Sequence, residues 1–196
     1  LHASQTRASY NANERQRGKL YNWTEVNTPE IIFMSEKLKI PYPLFVILLI
    51  DFLLYGQTLF FDYTNYDDNL LIKNNLPFIS DISNIFEAFS NSVFFNLADM
   101  FYRPILTVWL ILNAQLGGSD LFIYHFSSIL LHCLAVYLVF SLLTKLNYSR
   151  DLSIFLSLLF LVHPALIQAV AWIPGVGDVL TTIFSLSSFI VFLNFL

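Results

Sequence analysis

Asp67 and Asp68 are the residues of this 196-residue chain best suited to acid–base chemistry. They stand side by side in the polar stretch 62–69, a few residues after an apolar segment ends. Adjacent carboxylates repel one another unless a cation or metal compensates. At a membrane surface, one of them could act as a general base on an acceptor hydroxyl. The alternative is a solvated loop end or a helix cap without a chemical role.

Arg103, which is followed by Pro104, is the second candidate. Arginine binds phosphate oxygens through a planar set of several donors, so at the interface it could hold the phosphate of a lipid. The competing interpretation is a snorkelling arginine that anchors the short helix beginning at Pro104. These residues by themselves do not separate the two roles.

Three histidines raise the question of a metal. His125 and His132 are seven residues apart, so they lie on one face of a helix, and His163 follows later in the chain. No carboxylate spacing supports a metal, and neutral histidines facing a bundle interior are commoner, so we predict no metal and no cofactor. The single cysteine, Cys133, excludes an internal disulfide and a cysteine-based metal site.

The composition places these residues in a membrane protein. Hydrophobic residues make up 56% of the chain and charged residues 12%, whereas soluble domains carry about 25% charge. The net charge of −4 gives nucleic-acid binding no electrostatic support. We therefore predict an all-α, polytopic helical membrane protein with about four transmembrane helices. Their approximate ranges are 42–61, 121–143, 152–167 and 179–196.

A long polar loop, roughly 61–120, separates the first two predicted spans and contains both candidates. Within it, residues 81–96 carry an apolar stripe at helical spacing, which predicts an amphipathic helix at the bilayer interface. Residues 105–116 are apolar, but about 12 residues reach only about 18 Å, so we predict an interfacial or re-entrant helix. Asp51 lies in the middle of the first span, where we expect a buried hydrogen bond to another helix.

Basic residues predict the orientation of these spans. Lys37 and Lys39 precede the first span, and Lys145 and Arg150 follow the second, so both positions should be cytoplasmic. The long loop should then face outside. Residues 1–33 are polar and aperiodic, as in a disordered tail or non-native upstream sequence, and we place the domain at 34–196. Because the chain begins at Leu and ends within an apolar pattern, we expect an N-terminal fragment.

Several segments in this order resemble the membrane-embedded GT-C glycosyltransferases. The nearest in character are bacterial multi-spanning proteins that carry tetratricopeptide repeats, and eukaryotic O-mannosyltransferases with such repeats. No single motif is specific, but the order and spacing are, from about residue 42 to the end. The segments are Tyr66-Asp67-Asp68-Asn69, Tyr102-Arg103-Pro104-Ile105-Leu106, Tyr124-His125, Leu130-Leu131-His132, His163-Pro164, Ala169-Val170-Ala171-Trp172-Ile173-Pro174-Gly175 and Asp178-Val179-Leu180.

The resemblance implies a fold and a reaction. The fold is a helical membrane bundle with a large first outer loop that carries surface-lying helices. The reaction moves a sugar from a polyprenyl-phosphate-type carrier to a protein or glycan acceptor on the outer face, in a bacterial inner membrane. By this resemblance Asp67, with Asp68 beside it, acts as the base or positions the acceptor, and Arg103 meets the carrier phosphate.

The resemblance also has weaker parts and departures. Relatives usually have Asn at the position of Ser128, often Glu at Gln168, and in many cases a basic residue at Val176. A non-catalytic membrane protein of the same fold therefore stays open, and an unrelated transporter is a third alternative. The weaker site candidates are Tyr102, His125, His132, His163 and Asp178.

Overall fold

The computed structural model describes residues 43–64, 66–93 and 101–195. Every regular element in these ranges is helical, which confirms the predicted all-α class. The polar extension 1–33 and the lysines before the first span lie outside the described residues.

Seven α-helices make up the described part, joined by turns and short 3₁₀ or π segments. In chain order they are α1 Pro43–Tyr55, α2 Leu76–Ile79, α3 Pro104–Gly117, α4 Leu121–Lys145, α5 Arg150–Leu161, α6 Ile167–Ala171 and α7 Val176–Leu193.

Three apolar stretches are long enough to cross a membrane. They are Pro43–Phe60, which adds a 3₁₀ turn to α1, then α4, and Ile173–Leu193, which contains α7. Helix α5 and the segment Pro164–Ala171 form a fourth span if they are counted together across their 52° bend. The bend falls where His163 is extended before Pro164, because proline removes a backbone donor and disfavours helix in the residue before it. The protein is thus a polytopic helical membrane protein.

Helix α4 lies at the centre and packs against α1, α3, α5 and α7. Its contact with α1 is polar at mid-length. The Asp51 carboxylate, 0% exposed, bonds His132 Nδ1 at 2.7 Å and accepts from Cys133 Sγ at 2.9 Å. The predicted hydrogen bond from Asp51 to another helix is confirmed.

Helix α3 coincides with the helix predicted at 105–116. Pro104 occupies its first turn, where the missing N–H costs nothing, and Arg103 is its N-cap. At its other end Gly118 adopts φ +60°, a conformation that favours glycine, and its N–H bonds the Ala114 carbonyl. Fourteen residues span about 21 Å, which is too short to cross a bilayer core.

The prediction of a single amphipathic helix at 81–96 is wrong. Two 3₁₀ turns, Ile82–Ile85 and Glu87–Phe89, stand in its place, and residues 94–96 lie outside the described part. The Asp81 carboxylate accepts from the Ser83 hydroxyl and N–H, and these bonds compete with a continuous helix. The hydrogen bond from the Ser83 hydroxyl, and to a smaller extent the one from the Ser83 N–H, lowers the pKa of Asp81.

Further along the chain, α7 begins at Val176, three residues before the predicted start at Val179.

Candidate active site at one end of the bundle

The N-terminal ends of α4 and α7 lie at the same end of the bundle. The two helices pack along one another. At their opposite ends, the Lys145 ammonium donates to the Asn194 side-chain carbonyl. Because the C-terminal ends are joined, α4 and α7 run parallel. Both candidate groups described below lie near their N-termini.

One group of candidates lines a cavity of about 350 Å³, a size typical of small-molecule sites. Arg103 and Asp178, which are far apart in sequence, both lie on its wall. Most of the other lining residues have apolar side chains. The lining residues are Tyr102, Arg103, Pro104, Ile105, Leu106, Gly177, Asp178, Leu180, Thr181 and Phe184.

A close backbone approach positions the start of α7 at this cavity. Gly175, just before α7, lies against the Gln168 carbonyl at the start of α6. A Cβ atom at Gly175 would fall 2.4 Å from that oxygen, so a larger residue would force the segments apart. Ile173 and Val176 on either side are fully or almost fully buried. This packing fixes the start of α7, and Asp178 in its first turn therefore lines the cavity.

Arg103 is exposed at the start of α3, and its guanidinium carbon lies 5.7 Å from the centroid of the Phe101 ring. The preceding Tyr102 hydroxyl donates to the Phe89 carbonyl at 2.9 Å, which ties this segment to the second 3₁₀ turn. The first turns of α3 and α7 both reach the cavity wall, and helix N-termini carry partial positive charge. Arg103 and the N-terminus of α3 can therefore attract an anion, whereas Asp178 in the first turn of α7 adds a carboxylate that can accept hydrogen bonds.

The acidic pair is not part of this cavity wall, and its two members differ. Asp67 is half-buried, whereas Asp68 is 2% exposed. Asp68 Oδ2 accepts from the Thr64 N–H at 2.9 Å and from the Thr64 hydroxyl at 2.6 Å. The pair is thus split into one buried carboxylate held by its own loop and one more accessible carboxylate.

Tyr63 connects the acidic loop, residues 61–64 and 66–68, to the turn before α4. Its hydroxyl donates to the Ser119 carbonyl at 3.2 Å. Partial burial first, and then the carboxylates of Asp62 and Asp68, raise the pKa of Tyr63. The phenol therefore keeps its proton at neutral pH and remains a donor to Ser119.

His125, in the second turn of α4, faces the acidic loop. It is 3% exposed, and the Phe61 ring meets it edge-on with centroids 6.2 Å apart. Within the described ranges, both ring nitrogens of His125 and Asp68 Oδ1 are buried without a hydrogen-bond partner. His125 was only a weak candidate from sequence, because a histidine on an apolar helix face does not reveal what packs above it.

The other histidines lie elsewhere. His132 belongs to the Asp51 contact in the middle of α1 and α4. His163 is exposed and accepts from the Ala165 N–H at 3.3 Å as the cap of a 3₁₀ turn. The three histidines are not brought together, and no group of three or more metal-ligating side chains suited to a metal occurs in 43–64, 66–93 and 101–195.

Val176 and Ser128, two of the three positions at which the chain departs from the pattern of the family it resembles, have simple structural roles. Val176 is 0% exposed and packs in the core, so this position does not offer a side chain to the cavity. The buried Ser128 hydroxyl donates to the Tyr124 carbonyl one turn earlier in α4. Gln168 is exposed near the bend.

The chain is similar to curated protein O-mannosyl-transferases. One from Caenorhabditis elegans is 30% identical over 138 residues, which cover 69% of this chain and 20% of that protein. Protein O-mannosyl-transferase tmtc2 of Xenopus laevis is 32% identical over 152 residues, which cover 72% of this chain and 17% of that protein. Protein O-mannosyl-transferase TMTC1 of Homo sapiens is 35% identical over 96 residues, which cover 48% of this chain and 11% of that protein.

These matches bear on the expectations from sequence. The homologues confirm the resemblance to the tetratricopeptide O-mannosyltransferases. The chain spans a fifth or less of the length of these relatives. The relatives are eukaryotic, so the expected bacterial inner membrane finds no support among them. No family model matches the chain, and no solved structure matches it significantly.

Proposed function

We propose that this homologue of the protein O-mannosyl-transferases forms the donor-binding part of a membrane enzyme that mannosylates protein hydroxyl groups. The donor is a mannosyl group on a polyprenyl phosphate. In the reaction, the bond between the anomeric carbon and the phosphate oxygen breaks, and the acceptor oxygen bonds that carbon. The acceptor proton passes to a carboxylate, and the lipid phosphate leaves. No cofactor takes part.

The observation that supports this proposal best is the cavity beside Arg103. The guanidinium and the N-terminus of α3 suit a phosphate, because charge-assisted bonds and helix dipoles favour anions. The apolar wall, which includes Leu106 and Phe184, suits the first part of a polyprenyl chain. Asp178 on the opposite wall can accept hydrogen bonds from sugar hydroxyls. A phosphate, a sugar and an isoprenoid are the three parts of the proposed donor.

Asp67 is the proposed general base. A base must meet an acceptor that arrives from solvent, and Asp67 is more accessible than its neighbour Asp68. General-base help of this kind typically contributes about 10²–10⁴ in rate. Asp68 then has a supporting role in the same loop.

We place the protein in a membrane, with the end of the bundle that carries the candidate site on the non-cytoplasmic side. Lys145 and Arg150 lie at the other end, and basic residues favour the cytoplasmic face. The site would then face a lumen or the cell exterior.

The test is donor kinetics of Arg103 variants in the protein at its natural length. Losing one charge-assisted partner in a partly desolvated site costs about 2–5 kcal/mol, so we expect Arg103→Ala to raise the apparent KM for the lipid donor at least about thirtyfold. Arg103→Lys keeps the charge but not the planar set of donors, and should raise KM less.

The matched control is Arg150→Ala, which removes the same side chain at the opposite end of the bundle. Its donor KM should stay near normal. An unchanged donor KM in folded Arg103→Ala would make Arg103 a helix anchor. Absence of any mannosyl transfer by the unaltered protein would favour a non-catalytic member of this fold.

A further inference from the structure

In the described part of the chain, three buried polar atoms without partners occur where the acidic loop meets α4. They are Asp68 Oδ1 and the two ring nitrogens of His125. Both residues are less than 4% exposed. A buried donor or acceptor that is left unsatisfied costs about 1–3 kcal/mol, and most such groups in folded proteins have a partner. Three at one contact therefore indicate that something polar completes it.

The chemistry of the two groups indicates what that partner is. The carboxylate oxygen is an acceptor, and a neutral imidazole offers one donor and one acceptor. Within the described structure Asp68 Oδ1 and the His125 nitrogens share no direct hydrogen bond, and the Phe61 ring of the same loop meets the His125 ring with centroids 6.2 Å apart. A buried water that bridges polar groups typically makes about three hydrogen bonds. One water can thus donate to Asp68 Oδ1 and bond one His125 nitrogen.

We infer that His125 is a positioning residue for the acidic loop, joined to Asp68 through a buried water. Thr64 already holds Asp68 Oδ2 from within the loop, and the water would tie Oδ1 to α4. The loop is thereby fixed on the helix bundle, and the adjacent Asp67 is presented to the acceptor. This inference rests on the proposed role of Asp67. His125 itself is too deeply buried to meet an acceptor.

The link can be tested without any activity assay. Ile72 is 0% exposed in the π-helical turn that follows Asp68, so a cysteine there reports whether the loop stays docked. We would label Ile72→Cys with a thiol reagent, in membranes containing the protein at its natural length, after Cys133 and every other cysteine have been replaced by Ser. His125→Leu should raise the labelling rate about tenfold, because the loop opens more often. His125→Gln keeps polar atoms and should restore slow labelling.

One control variant and one alternative variant separate this link from general unfolding. His163→Leu removes an exposed histidine far from the loop in sequence and should leave the labelling rate unchanged. If His125→Leu does not insert, Asp68→Ala breaks the same link from the loop side and should give the same increase. Slow labelling in folded His125→Leu, or in folded Asp68→Ala, would overturn the inference.

Kinetics then test the positioning role. His125→Leu should lower kcat about tenfold or more and leave the donor KM unchanged, whereas His125→Gln should recover most of the turnover. Adding Asp68→Ala to His125→Leu should lower kcat little further, because the two residues act through one link. Faster labelling with normal kcat would overturn the positioning role. An inactive unaltered protein would instead contradict the proposed function, and the labelling would still decide the link.

Discussion

Asp51 and Asp68 are equally buried carboxylates in different situations. Asp51 is 0% exposed in the middle of α1, and Asp68 is 2% exposed in the loop above α4. Both oxygens of Asp51 have partners on α4, namely His132 and Cys133. Among the residues that the structure describes, only one oxygen of Asp68 has a partner, and that partner, Thr64, lies in the same loop.

The difference separates a structural carboxylate from one at a candidate site. Mid-membrane acids are expensive and are usually paired, so the Asp51 contact serves to join two helices. A carboxylate with an unsatisfied oxygen at the end of the bundle keeps the capacity to bind something else. The number of partners, rather than the degree of burial, distinguishes the two.

The largest expected effect is the all-or-none difference in membrane sidedness. In a Cys133→Ser background, Asn75→Cys should react with an impermeant thiol reagent added outside, and Ser149→Cys should not. The reason is that Asn75 lies in the long loop with Asp68, whereas Ser149 precedes α5 at the basic end. The opposite labelling pattern would place the acidic loop in the cytoplasm.

The next effect is catalytic and belongs to the loop. Asp67→Asn keeps the shape and removes the base, so kcat should fall by at least about a hundredfold with near-normal donor KM. Asp62→Asn is the matched control, because Asp62 is exposed in the same loop and bonds only its neighbour Tyr63 in the described part. If Asp68→Asn is inactive and Asp67→Asn is normal, the buried carboxylate is the base. Normal turnover in both variants would leave this loop without a catalytic role.

The smallest effect should come from Asp51, on stability rather than on turnover. Asp51→Leu leaves His132 Nδ1 buried without its partner, which should lower the free energy of unfolding by about 1–3 kcal/mol. Adding His132→Leu should recover part of this loss, because both polar groups are then removed. Detergent-titration unfolding measures both. A large fall in kcat per folded molecule, with stability unchanged, would show that Asp51 and Asp68 are not different in kind.

The elements that could be predicted from sequence are those set by local pattern. Apolar length predicted the long helices, and Pro104 marked the start of α3. The stripe at 81–96 misled, because its spacing suits a helix while Asp81 and Ser83 form local hydrogen bonds that interrupt one. Periodicity describes which face is apolar but not which backbone bonds win.

The chemical types at the candidate site were also present in the sequence. An adjacent carboxylate pair after a span and an arginine before a proline indicate acid–base and phosphate chemistry wherever they lie. Neither pattern indicates which acid is accessible. That choice depends on how residues 61–64 and 66–68 fold against the start of α4, where Asp68 is buried and held by Thr64 and Asp67 is left more open.

Only the tertiary structure decided which distant residues share a site. Arg103 and Asp178 meet at one cavity because Gly175 lets the start of α7 approach the backbone of α6, and α3 packs beside it. His125 meets the acidic loop at Phe61 because α1 and α4 pack antiparallel and return that loop to the start of α4. Composition and spacing act over a few turns of one helix, whereas these contacts depend on packing between helices that are far apart in sequence.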